Sequence, residues 1–141
     1  MNYNEALEKI EDFMVKSNIR KFCTQVCHGK CCSGCYESKN ACHLHEGRRL
    51  TCSAFICLNL KSLIFNDKER SIYSDISSKI VREMTRVRPG GISGANVYFY
   101  PHTKKERKEF HIDKGVLDQL NKIDIDEVAN KIKCIRALTE R

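Results

Sequence analysis

Apolar residues recur every three or four positions in several stretches of the chain, a spacing that predicts amphipathic helices. The first such stretch covers residues 3–18, where Asn2 or Asn4 can cap the start of a helix. A longer helix is predicted from Asn66 to Val87, with Asn66 as its cap. The apolar face of this longer helix consists of Ile72, Ile76, Ile80 and Met84.

Further helices are predicted on both sides of these two. A single helical turn is expected near residues 23–27, and the apolar run 54–65 is expected to be one core helix, with Phe55 and Leu58 beside the cysteine-rich region. A short helix should follow Asp113, and a last one should cover about residues 126–138. Cys134 falls in this last helix, where we expect a small, partly buried apolar side chain.

Two short stretches instead have the composition of strands. Residues 96–101 and 110–112 are rich in aromatic and β-branched side chains, and the polar run 102–109 separates them. This arrangement predicts a β-hairpin that packs on the helices. The expected fold is therefore α+β and mostly α, one domain over residues 1–141 with four or five helices and one hairpin. The cysteine-rich region 22–57 precedes a region of helices plus hairpin, 58–141.

Cysteine is the residue type that most changes this picture, because eight of the nine cysteines fall within 35 residues. Disulfides, metal ligation and redox chemistry can each explain such a density. The N-terminus has early acidic residues and no apolar core, so we expect no signal peptide, and no apolar run is long enough to span a membrane. A cytoplasmic protein keeps its thiols reduced, so we favour metal ligation. The predicted ligands are Cys23, Cys27, Cys31, Cys32, Cys35, Cys42, Cys52 and Cys57.

Zinc and iron–sulfur centres both accept four thiolates, so composition leaves the choice between Zn²⁺ and an iron–sulfur cluster open. Eight cysteines match two four-coordinate centres, and a single site with spare thiols is the alternative. Neighbouring side chains on an extended backbone point to opposite sides, so Cys31 and Cys32 fit two centres more easily than one. His28, His43 and His45 lie among the cysteines and are either replacement ligands or surface residues.

The spacing of two segments resembles a known family. Cys23-x3-Cys27-x3-Cys31-Cys32 is followed by a second segment that contains Cys42, Arg48, Cys52 and Phe55 in register with the family pattern. Together the segments resemble the zinc- or iron-chelating cysteine-cluster proteins of the Cys-x2-Cys-x2-Cys-Cys type. The chain differs from that pattern in its wider first gaps and at three positions of the second segment: His45, Arg49 and Ser53. The resemblance implies metal or iron–sulfur binding and specifies no reaction.

A basic surface offers a second candidate site. The formal net charge is +7, but two divalent ions on eight thiolates would lower it to about +3. Tyr98, Phe99 and Tyr100 stand beside the basic run of the predicted hairpin, where they could stack on bases while the cations contact phosphates. The candidate nucleic-acid-binding residues are Arg82, Arg86, Arg88, Lys104, Lys105, Arg107 and Lys108.

Three functions follow from these patterns. The first is a metal-binding protein with a zinc or iron–sulfur centre, whose partner is the metal ion itself. The second is a metal-stabilised module that binds nucleic acid through its basic 82–108 surface, and a protein partner is left open as an alternative to nucleic acid. The third is an iron–sulfur redox enzyme with an open ligand position. The sequence contains no Ser-His-Asp arrangement, phosphate loop or nucleotide-binding fingerprint, so whether the protein is an enzyme stays open.

Overall fold

A computed structural model of the protein describes residues 1–25, 50–87 and 103–139. Within these ranges the chain is mostly helical, and short non-helical stretches such as 55–57 and 110–113 connect the helices. In chain order the elements are α1 (Tyr3–Lys16), α2 (Ile19–Gln25), α3 (Leu50–Ala54), α4 (Leu58–Ile64), α5 (Asp67–Val87), α6 (Lys104–Glu109), α7 (Lys114–Asp118), a 3-10 helix (Gln119–Lys122) and α8 (Ile125–Thr139).

α1 begins at a reciprocal capping box. The Oδ1 of Asn2 accepts the backbone N–H of Glu5 at 2.9 Å, and Oε1 of Glu5 accepts the N–H of Asn2 at 3.2 Å. This pair satisfies two N–H groups that would otherwise lack a partner at the helix start. Ser17 ends the helix, and Asn18 adopts a φ of 65°, a left-handed conformation that Asn tolerates. The predicted helix, its cap at Asn2 and its end are confirmed.

α5 begins at a second capping box, which also fixes a distant element. Asn66 Oδ1 accepts the N–H of Glu69 at 2.8 Å, and Glu69 Oε1 accepts the N–H of Asn66 at 3.1 Å. The other carboxylate oxygen of Glu69 accepts the N–H of Asp124 at 3.1 Å, just before α8. Glu69 is therefore buried although it is charged, because both of its oxygens have backbone donors. The predicted helix and its Asn66 cap are confirmed.

The hydrophobic core joins residues from α1 through α8 in one cluster. Tyr73 of α5 lies within it, stacked on Phe13 of α1 with 6.0 Å between ring centroids and tilted against Phe65 at 5.6 Å. Such aromatic contacts add to the free energy of burying the rings. The predicted apolar face of α5 is confirmed, with Ile76, Ile80 and Met84 fully buried and Ile72 partly buried.

The C-terminal helices also follow the predicted pattern, apart from one residue. α7 is capped by Asp113, whose Oδ1 accepts the N–H of Gly115 at 3.0 Å. In α8, Val128 and Ile132 are fully buried, as their spacing predicts. The expectation for Cys134 is wrong, because its side chain is exposed.

The predicted hairpin is wrong in the part that the structure describes. Residues 104–109, expected to be its turn, form α6, and a capping box between Thr103 and Glu106 starts this helix. The expected second strand pairs with the N-terminus instead: His111 forms an antiparallel bridge with Asn2, and the N–H of Ile112 donates to Met1 O at 3.0 Å. The expected first strand, 96–101, lies outside the described residues. The described fold is therefore helical, with no sheet among these residues.

The predicted core helix over residues 54–65 is in fact two helices. The Tyr73 hydroxyl donates to the carbonyl of Ala54 and so terminates α3, and Cys57, at φ −62° and ψ 151°, then starts α4 as its N-cap. Ile56, which lies in the break between the two helices, is buried. Leu58, which was expected beside the cysteines, has 72% of its surface exposed.

None of the described helices combines the length and the apolar composition that crossing a membrane requires.

Candidate metal centre

Most of the predicted ligands lie in the part of the chain between α2 and α3. Cys23, Cys52 and Cys57 belong to described elements. The other predicted ligands and the neighbouring basic and histidine side chains lie outside the described residues: Cys27, Cys31, Cys32, Cys35, Cys42, His28, His43, His45, Arg48 and Arg49. What the structure shows of this site is therefore limited to the two helices that flank residues 26–49, which are α2 and α3.

The first flanking element, α2, buries its cysteine. The helix begins at Ile19, earlier than the single turn expected near residues 23–27, and is described through Gln25. Ile19 is fully buried, and Phe22 and Cys23 are 8% and 7% exposed. Cys23 thus belongs to the inner face of α2, next to the start of the cysteine-rich segment.

The second flanking element, α3, has only five residues, and a helix so short is unstable in isolation. Side chains of two other helices bind its backbone ends. The N–H of Leu50 donates to the Tyr3 hydroxyl at 2.8 Å, and the Ala54 carbonyl accepts from the Tyr73 hydroxyl. α1 and α5 therefore hold α3 in place, and with it the backbone of Cys52.

Arg20 joins the two flanking elements directly. Its guanidinium, on α2, donates to the backbone carbonyl of Ser53 on α3 at 3.1 Å. The same guanidinium pairs with both carboxylate oxygens of Glu11 on α1. Only 11% of the Arg20 side chain is exposed, so water screens this contact weakly. The two helices on either side of residues 26–49 are thus fixed to each other and to α1.

Two side chains near this junction have hydrogen-bonding capacity to spare among the described residues. The hydroxyl of Ser53 is fully buried without a hydrogen-bond partner there, although buried hydroxyls ordinarily have one. Cys57 is the N-cap residue of α4 and is partly exposed, and its sulfur makes no capping bond. Ser53 therefore offers an O–H donor beside Cys52 in the chain, and Cys57 offers an accessible sulfur.

The described residues alone do not make a complete metal site. No three His, Cys, Asp or Glu side chains in the described ranges lie close enough together to hold an ion. Four-coordinate thiolate centres need four donors. Of the predicted ligands, only Cys23, Cys52 and Cys57 belong to the described part of the chain, which is fewer than four.

The predicted basic surface is divided between two helices, and part of it is neutralised. Arg86 of α5 forms a bidentate ion pair with Glu83, with N···O distances of 2.6 and 2.7 Å, and Glu83 also accepts the N–H of His111 at 3.0 Å. These contacts hold the pKa of Glu83 below its ordinary value, Arg86 contributing most, while burial opposes them. The carboxylate of Glu83 raises the pKa of Arg86 in turn. Arg86 is therefore already paired.

The remaining predicted cations differ in their surroundings. Arg82 is exposed on α5, and Arg88 lies outside the described residues, as do the aromatic residues 98–100. The stacking platform expected beside the basic run is thus not part of the described structure. The exposed cations of α6 are Lys104, Lys105, Arg107 and Lys108.

The residues that fix α3 had no signal in the sequence for that role. Arg20 reaches Ser53 across 33 positions, and Tyr3 reaches Leu50 across 47. Tyr3 is buried, but helical periodicity reports only which face of a helix is buried and not what a hydroxyl on that face contacts.

The chain matches no protein-family model, no curated protein sequence and no solved structure.

Proposed function

We propose that the protein is a cytoplasmic metal-binding protein in which cysteine thiolates between residues 23 and 57 hold zinc or an iron–sulfur cluster. Eight cysteines within 35 residues are the chemical basis of the proposal. Thiolates are preferred ligands of both kinds of centre, and a structural centre of either kind stabilises the fold that surrounds it. No reaction forms part of the proposal.

The observation that carries the proposal is the bridge from Arg20 to the carbonyl of Ser53. It fixes α2, which bears Cys23, to α3, which bears Cys52. Gathering ligands that are distant in sequence costs conformational entropy, and this cost falls when the two ends of the intervening segment are already held together. The described helices thus form a frame in which the sulfurs of the segment can converge at a low entropic cost.

Substitution of single cysteines tests the proposal. We expect Cys52→Ser and Cys57→Ser to lower the metal content of protein purified without oxygen, because serine is a much weaker ligand for these metals. The same loss is expected for Cys32→Ser and Cys42→Ser. Elemental analysis measures the metal, and circular dichroism reports whether each variant retains its helices.

Cys134→Ser is the matched control. Cys134 is exposed on α8, and no role as a ligand is proposed for it. It should retain the metal content of the parent protein. Equal metal content in all five variants would show that the assignment of ligands is wrong.

A further inference from the structure

An open groove lies between the start of α1 and helix α6, on residues that the proposed metal centre does not use. Its volume is about 370 Å³, within the range of small-molecule binding sites. The lining residues are Asn2, Tyr3, Asn4, Lys104, Arg107 and Lys108.

The α6 side of the groove is uniformly positive. Lys104, Arg107 and Lys108 stand at positions i, i+3 and i+4 and so share one helical face. All three are exposed, and none forms an ion pair with another described residue. Among the described residues no carboxylate lines the groove, so the charged side chains in this lining are all positive.

The one carboxylate in the middle of this helix is used elsewhere. Glu106 is only 5% exposed, and its Oε1 accepts the backbone N–H of Thr103 at 3.4 Å while the Thr103 hydroxyl accepts the N–H of Glu106 at 3.1 Å. The capping box therefore directs Glu106 inward and leaves the cations of α6 on the outer face. The same capping box thus starts α6 and leaves only cations on the face of α6 that lines the groove.

The α1 side of the groove contributes neutral donors. Asn2 uses its side-chain oxygen as the cap of α1, so its NH₂ group remains available as a donor. Asn4 is exposed two residues further on and adds a second amide. Amide N–H groups and cations together suit an oxyanion with several acceptor oxygens.

We propose that this groove binds a phosphate group. Arg107 can donate two parallel hydrogen bonds to phosphate oxygens, the lysines act as point charges, and the asparagine amides complete the donor set. Such a phosphate belongs either to a small phosphate monoester or to the backbone of a nucleic acid. Both present anionic non-bridging oxygens as acceptors, although a monoester carries more of them and more negative charge than a phosphodiester.

Binding measurements on the intact, metal-loaded protein test the proposal with three probes: inorganic phosphate, adenosine monophosphate and a single-stranded oligonucleotide. Arg107→Gln and Lys108→Gln should each weaken binding by about tenfold, the loss expected for one charge-assisted contact. Glutamine keeps a helix propensity close to that of arginine and lysine, so α6 should persist. Shifts of the Asn2 and Asn4 amide resonances on titration locate the ligand.

Lys105→Gln is the matched control, because Lys105 is exposed on the same helix but does not line the groove. It should change affinity less than twofold at constant salt. Binding of phosphate and the monophosphate identifies a small phosphate ester as the ligand, whereas salt-sensitive binding of the oligonucleotide alone identifies a nucleic-acid backbone. Failure of all three probes, or an equal loss in Lys105→Gln, would overturn the proposal. Neither result depends on the cysteines.

Discussion

Single polar side chains do much of the long-range organisation in this protein. Glu69 caps α5 and also binds the backbone before α8, and Arg20 contacts both α1 and α3. Each is buried or nearly so and each has several partners, as the cost of burying a charge requires. Residues of this kind connect helices that apolar packing alone would leave free to shift.

Glu83 gives a pH-dependent test of one such contact. Its folded-state pKa lies below the ordinary value of 4.5, so the carboxylate stabilises the fold above that pH and the stabilisation is lost as the pH falls through the folded-state pKa. We expect Glu83→Gln to lower the free energy of unfolding by about 1 kcal/mol at pH 7. Below the folded-state pKa the variant and the parent should become equally stable in urea titrations.

Glu8→Gln is the control for this titration, because Glu8 is exposed on α1. It should show little change at either pH. A difference between Glu83→Gln and the parent that stays constant from pH 7 into the acid range would contradict the assignment of the ion pair.

At the scale of elements, helical periodicity together with capping residues predicted α1, α5, α7 and α8. These helices bury an apolar face and begin at Asn or Asp, so local signals agree with the tertiary structure. The aromatic residues of 96–101 are typical of a strand and suggest a hairpin, but the run Thr103-x-x-Glu106 starts a helix where the turn of that hairpin was expected. That run is a capping-box pattern, followed by lysine and arginine, which favour helix.

The contacts between elements could not be predicted in the same way. The cysteine spacing predicts a metal site from the sequence alone. The contacts that fix α3 to α2 and α1, in contrast, are hydrogen bonds between residues dozens of positions apart. Ser53 is an example, because Arg20 donates to its backbone carbonyl. Every residue has such a carbonyl, so neither composition nor periodicity predicts which one accepts.

Arg20→Gln tests this frame without removing a ligand. Loss of the guanidinium breaks a largely buried ion pair and leaves the Ser53 carbonyl without its donor, so we expect the free energy of unfolding to fall by about 2 kcal/mol. The metal should also be lost at a lower chelator concentration than in the parent protein. Urea titration followed by circular dichroism measures the first effect, and metal content across a chelator titration measures the second.

Lys21→Gln is the matched control, because Lys21 is the next residue on α2 and is exposed. It should behave as the parent protein does. If Arg20→Gln lost stability but released metal at the same chelator concentration as the parent, the frame would stabilise the helices without assisting the metal centre.

At the scale of the whole molecule, the two proposed sites involve different residues. The cysteine-rich segment lies between α2 and α3, whereas the cationic groove lies between α1 and α6. α1 contributes to both, since Glu11 pairs with Arg20 and Asn2 and Asn4 line the groove. At the first proposed site, helices fixed to one another stand at the two ends of the thiol-rich segment, and the proposal is that its thiolates bind metal.

Elemental analysis of the full chain, purified without oxygen and combined with its absorption spectrum, tests that claim most directly. The account predicts about one or two thiolate centres per chain, either zinc without visible absorption or iron and sulfide with it. A folded, metal-free protein whose cysteines are all free thiols or disulfides would contradict it.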